Sequence, residues 1–253
     1  MTTHTHHTKF GLIGYPLGHS FSADYFTEIF RRENLTDYQF GMFEIQSLDK
    51  LWTLLKEYPQ LQGLTVTMPY KQEIIPFLDK IDPDAESMQS VNALHIVHNN
   101  GIQLVGYNTD VYGFEVSLRP LLQPHHDKAL IFGTGGAASA VRFVLNKLKI
   151  KNHLVSRKPI EGGFTYSDLS ADLLQDFPLI INATPLGMEP LEKECPPIPL
   201  EGLSEKHLVY DVIYNPDKTP LLLAAEHRGA SIKNGLEMLH RQADRAWEIW
   251  TEK

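Results

Sequence analysis

Ala129-Leu130-Ile131-Phe132-Gly133-Thr134-Gly135-Gly136-Ala137-Ala138 decides how the second half of the chain folds. Its first four residues form an uninterrupted apolar run, short enough for a strand buried on both faces. Glycines end the run, and Ser139 to Leu148 resumes with apolar residues at helical spacing. The stretch fits G-x-G-x-x-A in the strand-to-helix setting that gives the pattern its meaning. Gly133 makes the tight turn, Gly135 lets the backbone approach a pyrophosphate, and the helix N-terminus offers unpaired N–H groups to its charge. Gly133, Thr134, Gly135, Gly136 and Ala137 are therefore expected to cradle a dinucleotide.

Further along, apolar runs recur at His153 to Val155, Leu179 to Asn182 and Leu208 to Val212, the strand spacing of a parallel sheet covered by helices. Ser156-Arg157-Lys158 follows the first of them. A site for NAD places an acidic residue about 20 positions beyond the glycines to accept the ribose 2′-hydroxyl, whereas an arginine suits a 2′-phosphate. Arg157 offers a planar fork and Ser156 and Lys158 add donors, so the expected cofactor is NADP.

Toward the N-terminus, Lys9 to Tyr15, Gln39 to Ile45 and Gly63 to Thr67 read as strands. Tyr25, Phe26, Ile29 and Phe30 mark one helix face between them, and Leu48, Leu51, Trp52 and Leu55 another. Phe114 to Leu122 reads as a connecting helix that ends before Pro124. The expected fold class is α/β with two α/β domains: an N-terminal substrate domain with a mainly parallel sheet, and a Rossmann-like NADP domain. The boundaries follow as 1–113 with 236–253, and 114–235. The first domain takes back the chain end because Leu236, Leu239, Ala243, Ala246, Trp247 and Trp250 form an apolar helical stripe that must be buried.

Composition narrows the partners. A chain of 253 residues with 42% hydrophobic and 21% charged residues is ordinary for a globular protein, with no tract apolar enough to span a membrane. The formal net charge of -8 argues against nucleic acid, which needs a basic face. Cys195 is the single cysteine, so no internal disulfide can form. Met1 to Thr8 lacks the apolar core of a signal peptide, and the expected location is the cytoplasm. His4, His6 and His7 read as a frayed polar terminus, and no metal site is expected.

Three polar clusters in the first half resist explanation as packing. Gly14-Tyr15-Pro16-Leu17-Gly18-His19-Ser20-Phe21-Ser22 offers two hydroxyls on a glycine- and proline-shaped loop, although Ser22 alone could cap the next helix. Thr65-Val66-Thr67-Met68-Pro69-Tyr70-Lys71 presents a hydroxyl and an amine where a strand meets a turn. Asn92 and Asp110 complete the set. Lys71 with Asp110 is the pair suited to chemistry, because reducing a ketone leaves an alkoxide that must take a proton.

With these residues assembled, the chain resembles the shikimate dehydrogenase family over nearly its full length. The motifs run in order: Gly14 to Ser22, Val66 to Lys71, Val91 to Leu94, and Gly106 to Gly113. Then come the glycine loop, Asn182 to Met188, Asp211 to Pro216, and Gly235 to Leu239 before Gln242. The resemblance implies that Ser20, Ser22, Thr67, Lys71, Asn92, Asp110, Tyr214 and Gln242 surround a small-molecule substrate, with Lys71 and Asp110 catalytic. Tyr214 and the serines would hold its carboxylate, and Asn92, Asp110, Lys71 and Gln242 would meet ring hydroxyls. NADP would lie against Gly133 to Ala137, Ser156 to Lys158, Thr184, Val212 and Gly235. The implied reaction is reduction of 3-dehydroshikimate to shikimate by NADPH, a step toward chorismate and the aromatic amino acids, with no metal.

Two departures stand out. Relatives often carry asparagine where this chain has Thr65, and S-P-x-x-H-N where it has Ser22 to Thr27. The alternatives are a broad quinate/shikimate dehydrogenase and a non-catalytic NADP- or shikimate-binding module. Arg157 and Ser22 favour the NADP-using, shikimate-preferring branch, and the presence of both Lys71 and Asp110 favours catalysis.

Overall fold

The computed structural model describes residues 8–18 and 21–251, Thr8 by its backbone alone; His4, His6, His7 and Ser20 lie outside the described residues. It divides into two compact units, Met1–Thr109 with Gln242–Lys253, and Asp110–Arg241. Both divisions fall inside helices, Thr109–Leu118 and Leu236–Thr251. The boundaries expected from sequence, 113/114 and 235/236, lie at or near the same two helices.

In the first unit the strands are β1 (Thr8–Gly14), β2 (Gln39–Glu44), β3 (Gly63–Val66), β4 (Lys80–Ile81), β5 (Ala93–His98) and β6 (Ile102–Tyr107). They form one sheet in the order β2-β1-β3-β5-β6-β4. Pairings of β1 with β2, β1 with β3 and β4 with β6 are parallel. β5 runs antiparallel to both neighbours. It turns into β6 through Asn99, Asn100 and Gly101, the last two at φ of 53° and 134°, the chemistry of a tight hairpin.

Helix α1 (Phe21–Arg32) buries Phe26, Ile29 and Phe30 along one stripe, with Asp24 in its first turn and Arg31 and Arg32 in its last to complement its dipole. Three short helices follow, α2 (Leu51–Glu57), α3 (Tyr70–Glu73) and α4 (Pro83–Met88). Phe10 and Ile13 of β1 lie in separate cores, as strand alternation requires. The Phe10 core is completed from the chain end, where Ala243, Ala246, Trp247 and Trp250 pack against Phe26 and Phe30. Gly63 makes room for this: a Cβ there would lie 2.4 Å from the Trp250 indole. The indole N–H donates to the Leu94 carbonyl at 2.8 Å, so the C-terminal helix returns to the first unit.

The second unit opens with α5 (Thr109–Leu118), which Thr109 shares with the first. Its strands are β7 (Lys128–Phe132), β8 (Lys151–Ser156), β9 (Phe164–Thr165), β10 (Leu179–Asn182), β11 (Leu208–Asp211) and β12 (Ser231–Lys233). The order is β12-β11-β10-β7-β8-β9 and every pairing is parallel. This is a doubly wound sheet whose order reverses between β7 and β10, the place where such folds bind ligands. Helices α6 (Gly136–Lys147), α7 (Ala171–Gln175) and α8 (Pro220–His227) connect the strands. Within this unit α5 is tied to the sheet: Tyr210 is fully buried, its hydroxyl 2.7 Å from Ser117 Oγ and its ring edge-on to Phe114. The last helix is α9 (Leu236–Thr251). Among the described residues no helix is long and apolar enough to cross a membrane.

Candidate functional site

At the reversal point of the second unit, β7 ends and the chain turns at Gly133, whose φ of 105° side chains resist. A Cβ there would also sit 2.8 Å from the Ala183 carbonyl oxygen, so the fold itself demands glycine. Gly135 and Gly136 differ. A Cβ added at either would meet nothing within 4 Å, so packing gives no reason for glycine. Gly135 is the N-cap of α6 and no side chain caps that helix, which leaves first-turn N–H groups facing open space. Thr134 is exposed beside them and Ala137 half-buried. Open space lined by donors at the positive end of a helix fits a pyrophosphate.

Ser156, Arg157 and Lys158 leave the end of β8. Ser156 Oγ donates to the Lys158 carbonyl oxygen and closes the turn, while Arg157 and Lys158 are exposed. Burial pushes the Tyr166 hydroxyl above its ordinary range, and the nearby positive charge of Arg157 partly opposes this. The turn thus presents two exposed cations at the end of β8, a setting suited to a phosphorylated ribose.

The loops after β10 and β11 hold the remaining candidates of this unit. Thr184 and Val212 are half-buried and Tyr214 is exposed. Gly235 is buried because a Cβ there would lie 2.0 Å from the Val212 carbonyl oxygen; the two backbones touch, and Gly235 N donates to Ile213 O at 2.9 Å. Between these loops lie residues to which sequence reasoning gave no role. Asn182, Asp211 and Thr219 have no exposure, and all three are hydrogen-bonded to one another through Asp211. Their signal was available, since Asn182 and Asp211 open two of the family motifs.

In the first unit, β3 delivers Thr67, whose N–H donates to Ile13 O at 3.0 Å, and Lys71 follows on α3. The Lys71 carbonyl accepts from Val91 N at 2.7 Å, which sets the segment carrying Asn92 alongside. Asn92 is buried, and Gln242 arrives from α9, 3.5 Å from the Asn92 amide nitrogen. Thr109 joins them: Asn92 Oδ1 accepts from Thr109 N at 2.7 Å, and Thr109 Oγ1 lies 3.3 Å from Gln242 Oε1. Ser22 is half-buried in the first turn of α1, inside the helix rather than capping it. Thr65, at the position where relatives often have asparagine, donates its buried hydroxyl to Gly11 O at 3.2 Å and so serves the sheet. Asp110, second residue of α5, is half-buried and belongs to the second unit. Among the described residues no group of His, Cys, Asp or Glu is arranged to hold a metal ion.

Known proteins are similar to nearly the whole chain. Residues 12–94 match the family model of the shikimate dehydrogenase substrate binding domain. The shikimate dehydrogenase (NADP(+)) of Methanosphaera stadtmanae is 35% identical over 262 residues, covering 96% of this chain and 91% of that protein. Among solved structures, shikimate 5-dehydrogenase from Listeria monocytogenes, in complex with shikimate and NAD, superimposes with a TM-score of 0.84 at 31% identity, covering 98% of this chain and 93% of that one. Shikimate 5-dehydrogenase from Thermus thermophilus, in complex with NADP(H) and shikimate, does so with a TM-score of 0.83 at 27% identity, covering 97% and 94%.

Proposed function

This chain belongs to the shikimate dehydrogenase family, and from that premise we propose that it is an NADP-dependent oxidoreductase converting 3-dehydroshikimate to shikimate, reversibly, on the route to chorismate and the aromatic amino acids. The observation that carries the reading is the turn from β7 to α6. Gly135 and Gly136 keep open a space that nothing in the protein needs open, at the uncapped end of a helix. Arg157, on the neighbouring strand's turn, matches the additional phosphate that distinguishes NADP from NAD.

NADPH, when bound, supplies a hydride. The chain's own residues provide the rest. Lys71, acting with Asp110, delivers a proton to the ring oxygen that hydride addition leaves as an alkoxide, and removes that proton in the reverse direction. Asn92 and Gln242 meet ring hydroxyls, Thr67 is a further substrate contact, and Ser20, Ser22 and Tyr214 take the carboxylate. Thr134, Gly136 and Ala137 with Gly133 and Gly135 hold the pyrophosphate, Ser156 to Lys158 the 2′-phosphate, and Thr184, Val212 and Gly235 the remaining part of the nucleotide. Asn92 is supported by its setting, an amide fixed at buried partners and so unable to turn away. No metal takes part. The net charge of -8 speaks against nucleic acid. Burial pushes the lone thiol of Cys195 up to about 11, so it is a poor nucleophile, and a single inert cysteine suits the cytoplasm.

The test is stoichiometric. Purified protein given 3-dehydroshikimate and NADPH should yield shikimate, identified by proton NMR, with one NADPH oxidised for each molecule formed. Binding of NADPH with no turnover would instead make the chain a sensor.

A further inference from the structure

Among the described residues Asp211 is the one carboxylate with no exposure, and the chemistry above does not use it. Burial raises its carboxyl above the ordinary range, opposed by hydrogen bonds from Thr219, Asn182 and the Ile213 N–H. Apolar packing would fill such a place at less cost, so a buried acid calls for another account.

Its partners supply one. Asp211 and Asn182 face each other as register partners at the ends of β11 and β10. Asn182 Nδ2 lies 3.1 Å from both carboxylate oxygens. Ile213 N donates to Oδ1 at 3.0 Å, and Thr219 Oγ1 donates to Oδ2 at 2.7 Å. Each donor comes from a different segment. Asn182 passes the constraint on: its Oδ1 accepts from Thr184 N at 3.1 Å and from Thr184 Oγ1 at 2.7 Å, and its Nδ2 also lies 3.3 Å from Leu186 O. Ile213 follows Val212, whose carbonyl packs on Gly235. Thr219 caps α8, its side chain accepting from Leu222 N, and its Cβ fills the space beside Gly187. One carboxylate therefore fixes the loops that carry Thr184 and Val212 and the start of α8.

We propose that Asp211 is a positioning residue for the cofactor: its carboxylate, relayed by Asn182, holds the loops after β10 and β11 in the shape that receives NADPH. This rests on the NADP reading above. Asp211 does not touch the nucleotide; it sets the residues that do.

The test uses the full-length protein. Asp211→Asn, Thr219→Val and Thr219→Ser are compared with wild type for the NADPH dissociation constant, read by nicotinamide fluorescence without substrate. Amide exchange at Thr184 and Ile213 in cofactor-free protein is read alongside. Asp211→Asn should weaken NADPH about tenfold or more, the scale of a lost charge-assisted hydrogen bond, and speed exchange at both amides while β7 stays protected. Thr219→Val should follow in smaller measure even if Asp211→Asn fails to fold, and Thr219→Ser, which keeps the hydroxyl, should bind like wild type. Unchanged affinity and exchange in folded Asp211→Asn or Thr219→Val, with only a lower melting temperature, would overturn the proposal. Equal losses in Thr219→Ser and Thr219→Val would do so too. Wild-type protein that fails to bind NADPH would overturn the functional reading itself, and the proposal with it.

Discussion

Asn92 grips Thr109 at two points: its Oδ1 accepts from the Thr109 N–H at 2.7 Å, and its Nδ2 donates to Thr109 Oγ1 at 3.1 Å. Thr109 is the first residue of α5 and precedes Asp110. Both partners are buried, at 4% and 1% exposure, so neither can turn to water if the other is lost. Asn92→Ala should therefore cost about 1–3 kcal/mol of stability, the penalty for an orphaned buried donor. It should also raise KM for shikimate, because the amide proposed to meet the ring is gone. Urea unfolding and steady-state kinetics measure the two effects; an unchanged KM would take Asn92 out of the substrate site.

Lys71→Ala separates chemistry from binding. General acid-base help is worth about 10²- to 10⁴-fold in rate, so turnover should fall by that order while NADPH affinity holds. Turnover followed by nicotinamide absorbance, with affinity by fluorescence, gives the comparison. Wild-type turnover in the variant would remove Lys71 from the mechanism.

Gly133 and Gly135 should respond in opposite ways to a single added methyl. At Gly133 the substitution to Ala meets a φ of 105° and a carbonyl oxygen at 2.8 Å, so the folded state should lose about 1–3 kcal/mol. At Gly135 nothing lies within 4 Å, so stability should stay within about 1 kcal/mol. NADPH affinity should nonetheless fall in Gly135→Ala, since the methyl would enter the space proposed for the pyrophosphate. Thermal melts and fluorescence titrations of both variants test this, and full NADPH affinity in Gly135→Ala would place the pyrophosphate elsewhere.

How much of this is legible in the sequence depends on how local each feature is. The strand, turn and helix around Gly133 are contiguous, and their residue types alone identify the turn. The return of the last helix is legible too, because the stripe from Leu236 to Trp250 has to be buried. The β5–β6 hairpin is harder: its one local signal is Asn100-Gly101, since the apolar runs on either side would suit parallel strands as well. Harder still are the buried polar nodes. Asn92 meets Gln242 across 150 residues of chain and Asn182 meets Asp211 across 29. Nothing in an asparagine or an aspartate says whether water or a carboxamide will satisfy it. Family motifs mark such residues, but only the packed strands show which polar groups they meet.

Arg157 is exposed, so its contribution should show in cofactor choice more than in stability. Arg157→Ala should weaken NADPH roughly 10- to 100-fold, the range of charge-assisted hydrogen bonds, and leave NADH nearly unaffected. Dissociation constants for the two nucleotides decide it. Equal losses for both would refute a role at the 2′-phosphate.

The most direct test of the account is kcat/KM for wild-type protein with shikimate or quinate, each paired with NADP or NAD. The expected result is that shikimate with NADP far exceeds the other three pairings. Comparable rates with quinate or with NAD would contradict it and place the chain in the broader quinate/shikimate branch.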